Sequence, residues 1–166
     1  VHGEEEVYEN LRQFCIQKEQ KERFYDYLLC FVQSGDYSKC LDEAKVDKTS
    51  LEKCMDKIDK EYNITGKLKD RSTWYGGRYP PFDVELELNK KYNIGGSPTL
   101  IINDVVVEEF GYSYARSPEF LKRAICISFS NPPKECEEKF SLEPLSPGFG
   151  SLTQTSSTTT TAGSCS

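Results

Sequence analysis

The stretch Gly95-Gly96-Ser97-Pro98-Thr99-Leu100-Ile101-Ile102-Asn103-Asp104, followed at once by Val105-Val106-Val107, decides how this chain is read. An apolar β-branched run, an Asn-Asp pair and a second β-branched run predict two antiparallel strands joined by a tight turn. A helix-like segment through Leu86, Leu88 and Tyr92 ends at Asn93-Ile94 and enters this hairpin through two glycines and Ser97-Pro98. Proline at the head of a strand has no N–H to give the ladder, and it is the residue that can take a cis peptide bond. Downstream, Ser117 as N-cap, Pro118 at the first helical position and Glu119 in the first turn open a further helix. It carries Phe120, Leu121, Ala124, Ile125 and Phe129 at helical spacing.

This order of helix, Gly-Gly-Ser-Pro entry, hairpin and capped helix resembles the second half of the thioredoxin fold. The resemblance implies that Ser97 and a cis Pro98 guide an extended substrate past a nucleophilic cysteine. Taken as a dipeptide alone, Ser97-Pro98 reads as a rigid turn.

Charge and length narrow the classes. The 166 residues suffice for one domain with a core and a tail, and 37% hydrophobic with 12% aromatic residues is globular. A formal net charge of −6 argues against a nucleic-acid backbone or an anionic membrane as partner. No apolar run approaches the length of a membrane span.

Seven cysteines stand at 15, 30, 40, 54, 126, 136 and 165, none within four residues of another. Zinc ligands usually come in close C-x₂₋₄-C pairs, and the single histidine, His2, adds little, so no metal site and no cofactor is expected. Wide spacing with one cysteine left over predicts three structural disulfides formed in an oxidising, extracytoplasmic compartment, whether secreted, periplasmic or cell-surface.

From the N-terminus, Glu4 to Glu6 precede an amphipathic helix through Val7, Leu11, Phe14 and Cys15. A second helix spans about 19–33, Ser34-Gly35-Asp36 breaks it, a short one covers about 37–44, and a fourth follows Asp47 as N-cap. Each carries one cysteine. Cys30 and Cys40 face each other across the Gly35 turn, which suggests that pair and leaves Cys15 with Cys54. Cys126 and Cys136 flank the Asn131-Pro132-Pro133 turn and suggest the third. Order and turns alone leave many other pairings possible. The chain thus divides into a disulfide-linked helical subdomain (1–64), a hairpin and closing-helix segment (65–140), and a Ser/Thr-rich tail expected to be disordered (141–166). Trp74-Tyr75-Gly76-Gly77-Arg78-Tyr79-Pro80-Pro81 reads as an aromatic loop able to line a peptide groove, and Asn63-Ile64-Thr65 is a glycosylation sequon.

The His2-Gly3-Glu4-Glu5-Glu6 start, the cysteine-bearing helices, Gly-Gly-Ser-Pro-Thr-Leu and the Asn-Pro-Pro-x-x-Cys turn together resemble the DsbA-like thioredoxin-fold thiol–disulfide oxidoreductases of prokaryotes. A more distant likeness is to the gamma-interferon-inducible lysosomal thiol reductases. The resemblance covers about residues 1–136. It implies an α/β, thioredoxin-like fold with a helical insertion and an N-terminally truncated sheet, acting on protein or peptide thiols and disulfides. The family's redox motif is missing, since no C-x-x-C occurs. The expectation is therefore a piece of a longer oxidoreductase or isomerase whose nucleophile lies outside this sequence, so that this chain alone is inactive, with Cys165 either a tail-borne resolving cysteine or an incidental thiol. The alternative is a redox-inactive, disulfide-stabilised peptide-binding domain.

Overall fold

The computed structural model describes residues 3–96 and 99–144, with the side chains of Gly111, Ser113 and Tyr114 left aside. The chain divides between Leu86 and Glu87 into two compact units.

The first unit is helical. Helices α1 (Glu4–Glu19), α2 (Lys21–Ser34), α3 (Tyr37–Glu43), α4 (Lys48–Tyr62) and α5 (Ile64–Lys69) follow one another through short connections. Local chemistry sets their ends. Gly35 takes the left-handed conformation (φ 68°) that stops α2, and the Asp36 carboxylate accepts the Lys39 N–H to start α3. Asp47 caps α4 by accepting from Thr49 and Ser50. Asp47 is itself gripped by Gln20 at the α1–α2 joint, whose side chain donates to the Asp47 carbonyl (3.0 Å) and accepts its N–H (2.7 Å).

Val7, Leu11 and Ile16 of α1, Tyr27 of α2, Leu41 of α3, and Leu51 and Ile58 of α4 form one apolar core. Each such aliphatic side chain, taken from water, stabilises the fold by about 1.5–3 kcal/mol. Ile64, Leu68 and Val84 belong to the same core. The unit therefore runs on past residue 64, the boundary read from the sequence, and takes in α5 and the aromatic loop. Trp74 packs on the core while its Nε1–H donates to the Lys67 carbonyl at 3.0 Å. Tyr75 and Tyr79 pair across a turn made by Gly76 and Gly77, both at positive φ.

One polar network is embedded in this core. Glu9 accepts from the Tyr27 hydroxyl (2.8 Å), from Gln13 (2.9 Å) and from Arg12. Burial, and then the bond to Glu9, push the Tyr27 phenol well above its ordinary range, so it stays a neutral donor.

The second unit holds α6 (Leu86–Lys91, from Glu87 onward), the strands β1 (Ile101–Ile102) and β2 (Val105–Val106), and α7 (Pro118–Cys126), with 3₁₀ turns between and after them. The strands pair antiparallel, Ile101 with Val106 and Ile102 with Val105.

The expected thioredoxin-like α/β fold is overturned. The described residues form seven α-helices and one sheet of two strands, each two residues long, and they contain no parallel pairing. The physical reason lies in where the apolar residues fall. β-Branched apolar runs are confined to about 100–107, whereas elsewhere apolar side chains recur at helical spacing and bury themselves helix against helix. Cross-strand pairing outside the hairpin amounts to the single bridge between Tyr75 and Tyr79 among the described residues.

Candidate functional site

The hairpin turns on Asn103 (φ 50°) and Asp104 (φ 65°), both left-handed, as a two-residue hairpin turn demands and as Asn and Asp tolerate. Asn103 Nδ2 donates to the Ser128 carbonyl at 3.0 Å, which ties the turn to the chain leaving α7. Asp104 accepts from Lys91 (3.0 Å) and from the Tyr92 hydroxyl, so the end of α6 is held to the same turn. These two bonds hold the Asp104 carboxyl below its usual range, Tyr92 contributing most.

Helix α7 begins as its sequence requires. The Ser117 hydroxyl, almost fully buried, accepts the Phe120 N–H at 3.2 Å, and Pro118 occupies the first turn. The helix stops at Cys126, short of Phe129, which lies on the turn beyond it.

An apolar groove flanks α7 on each of two sides. One, of about 650 Å³, is lined by Val105 and Val107 of the hairpin segment and by Phe120, Ala124 and Ile127. The other, of about 490 Å³, is lined by Leu121 and Ile125 of α7, by Phe129, Pro133 and Phe140, and by the cysteines 126 and 136. Several of these side chains are largely exposed: Ile127 by 85%, Val105 by 64% and Phe129 by 48%. Apolar surface in a concave setting is what a peptide side chain displaces water from.

The structure brings six of the cysteines together in three bonds: Cys15–Cys54, Cys30–Cys40 and Cys126–Cys136. Their settings differ. Cys15 and Cys54 lie in the helical core. Cys40 is also fully buried, while Cys30 is half-buried and has the Glu43 carboxylate 3.2 Å from its sulfur. Cys126 and Cys136 are both half-buried, with Cys136 on a 3₁₀ turn over Lys134–Glu137.

Ser97, Pro98 and Cys165 lie outside the described residues. Among the described residues no cluster of three or more His, Cys, Asp or Glu could hold a metal ion, and no helix is long and apolar enough to cross a membrane. Asn63 is exposed, at positive φ on the end of α4, and the Thr65 hydroxyl of its sequon donates to Asp59.

Sequence reasoning missed three groups. Glu43 beside Cys30 comes there through α3 packing on α2, a contact 13 residues long in sequence. Glu9 reads as one acid among several on α1, although its i+3 and i+4 partners, Arg12 and Gln13, are visible in the sequence. Glu119 reads as an ordinary first-turn acid, yet it ties α7 to the segment at Phe140.

No family model, no curated protein and no solved structure matches this chain.

Proposed function

We propose that this chain takes part in thiol–disulfide exchange with protein or peptide substrates outside the cytosol, as part of a thiol–disulfide oxidoreductase or isomerase. The observation that carries the reading is the local order of α6, the Gly95-Gly96 entry, a tight hairpin and the Ser117-capped α7. It is the order that the sequence resemblance attaches to substrate guidance by Ser97 and Pro98. Three intramolecular disulfides are consistent with an extracytoplasmic protein.

A second reading, a redox-inactive peptide-binding domain, draws on a different observation: all six described cysteines are already bonded, and the grooves beside α7 are apolar.

The test is turnover of a disulfide-linked fluorogenic peptide by the full chain in a glutathione buffer. Exchange predicts turnover above the buffer rate, falling about tenfold or more in Pro98→Ala, since proximity and orientation of the substrate are lost. Saturable binding of the same peptide with no turnover would overturn exchange and favour the binding domain.

A further inference from the structure

We infer that Cys126–Cys136 is the bond of this chain that exchanges, and that the groove beside it receives an apolar residue next to the cysteine of a peptide substrate. The inference rests on the exchange function proposed above and names its site.

Access separates the three bonds. Thiol–disulfide exchange requires an incoming thiolate to reach one sulfur along the S–S axis, so burial and nearby negative charge both slow it. Cys15 is wholly enclosed and Cys54 nearly so. In the second bond the buried sulfur of Cys40 faces the Ser34 hydroxyl (3.2 Å), and the more open sulfur of Cys30 has Oε2 of Glu43 against it at 3.2 Å, while Lys39 lies 3.5 Å from the other carboxylate oxygen, Oε1. A carboxylate there repels an attacking thiolate and disfavours Cys30 as a leaving thiolate.

The third bond combines access with a binding surface. Both sulfur-bearing residues are half-buried and line the groove with Leu121, Ile125, Phe129 and Phe140. Lys122 lines it too, while its ammonium lies 3.1 Å from Glu119. Apolar walls hold the substrate segment, and the disulfide among them receives its thiolate.

The step balances without an outside oxidant. The peptide thiolate bonds to one sulfur of the pair, the Cys126–Cys136 bond breaks, and the other cysteine leaves with the electron pair. A second thiolate of the same peptide then attacks the peptide sulfur of the mixed disulfide and releases the cysteine that held it. The peptide dithiol has become a disulfide, and two electrons have passed to Cys126 and Cys136, which take up the protons.

The experiment uses the full chain with one equivalent of a synthetic peptide bearing two cysteines and a leucine beside the first, quenched in acid, alkylated and mapped by mass. The expected result is a mixed disulfide and then free, alkylated thiols at Cys126 and Cys136, this bond opening about tenfold or more faster than the others. Prior opening of Cys30–Cys40 or Cys15–Cys54, or all three opening together, would overturn it. Phe129→Ser changes a half-exposed wall residue and leaves the sulfurs in place. It should slow the leucine peptide about tenfold while leaving reduction by dithiothreitol unchanged; equal rates for wild type and variant with the peptide would remove the groove from the inference. Reporter turnover that persists in the Cys126→Ser/Cys136→Ser variant would overturn this site and leave exchange standing. Single exchange at Cys126–Cys136 with no reporter turnover would do the reverse.

Discussion

Glu119 Oε2 accepts the Phe140 backbone N–H at 2.9 Å, while the Glu119 N–H donates to the Ser141 carbonyl at 3.1 Å. This two-way clasp fastens residues 140–141 to the first turn of α7 and so sets Phe140 at the rim of the disulfide-bearing groove. Arg123 (2.7 Å) and Lys122 (3.1 Å) complete the partners of the carboxylate. The Phe140 N–H, then Arg123 and Lys122, hold its carboxyl down to about 2.

The pH dependence follows in sign. Because the folded value lies below the ordinary 4.5, the clasp is fully present above about pH 4.5 and is lost as pH falls through about 2. The hydrogen-exchange protection factor of the Phe140 amide should therefore be flat above pH 4.5 and fall below it. In Glu119→Gln it should be lower and independent of pH over that range. A wild-type factor that stays level down to pH 2 would remove the carboxylate from the clasp.

Glu43 beside Cys30 gives a kinetic prediction. Glu43→Gln should speed reduction of Cys30–Cys40 by glutathione about three- to tenfold, because the carboxylate opposes an anionic attacker. The gap should narrow at high salt, which screens that repulsion at an exposed site. Equal rates for the two proteins at low salt would show that access alone protects the bond.

Cys15–Cys54 joins α1 to α4 across a separation of 39 residues. Closing a loop of that length restricts the unfolded chain by about 4 kcal/mol in the chain-entropy model, against about 3 for the ten-residue loop of Cys30–Cys40. Cys15→Ala/Cys54→Ala should lower the urea midpoint of the helical unit more than Cys30→Ala/Cys40→Ala does. The core position of the first pair adds the loss of packing. The opposite order would contradict the assignment of Cys15–Cys54 as the main brace.

Much of the local structure was legible because single residues impose it. Gly35, Asp47 and Ser117 each end or begin a helix by a conformation or a hydrogen bond that few other residues supply, and Asn103-Asp104 turns the hairpin in the same way. The assembly of these pieces was not legible in the same way. Gly-Gly-Ser-Pro with a hairpin and a capped helix is compatible with a larger sheet, yet Ile101–Ile102 and Val105–Val106 pair only with each other among the described residues. α5 escaped notice because its six residues include Gly66, a poor helix former, and its order comes from Ile64 and Leu68 entering the core. The site was partly legible: the cysteines of α7 and of the Pro132-Pro133 turn were visible as a pair, but the apolar groove around them depends on Phe140 returning to α7 through Glu119. Such a contact, 21 residues apart in sequence, leaves no periodic trace.

Timed partial reduction of the native chain by glutathione, with alkylation in acid and mass mapping of each cysteine, is the measurement that bears most directly on an exchangeable bond in an otherwise locked chain. The prediction is that Cys126 and Cys136 appear alkylated first, Cys30 and Cys40 later, and Cys15 and Cys54 only as the helical unit unfolds. Release of Cys30–Cys40 or Cys15–Cys54 ahead of Cys126–Cys136, or six free thiols in the starting native material, would contradict it.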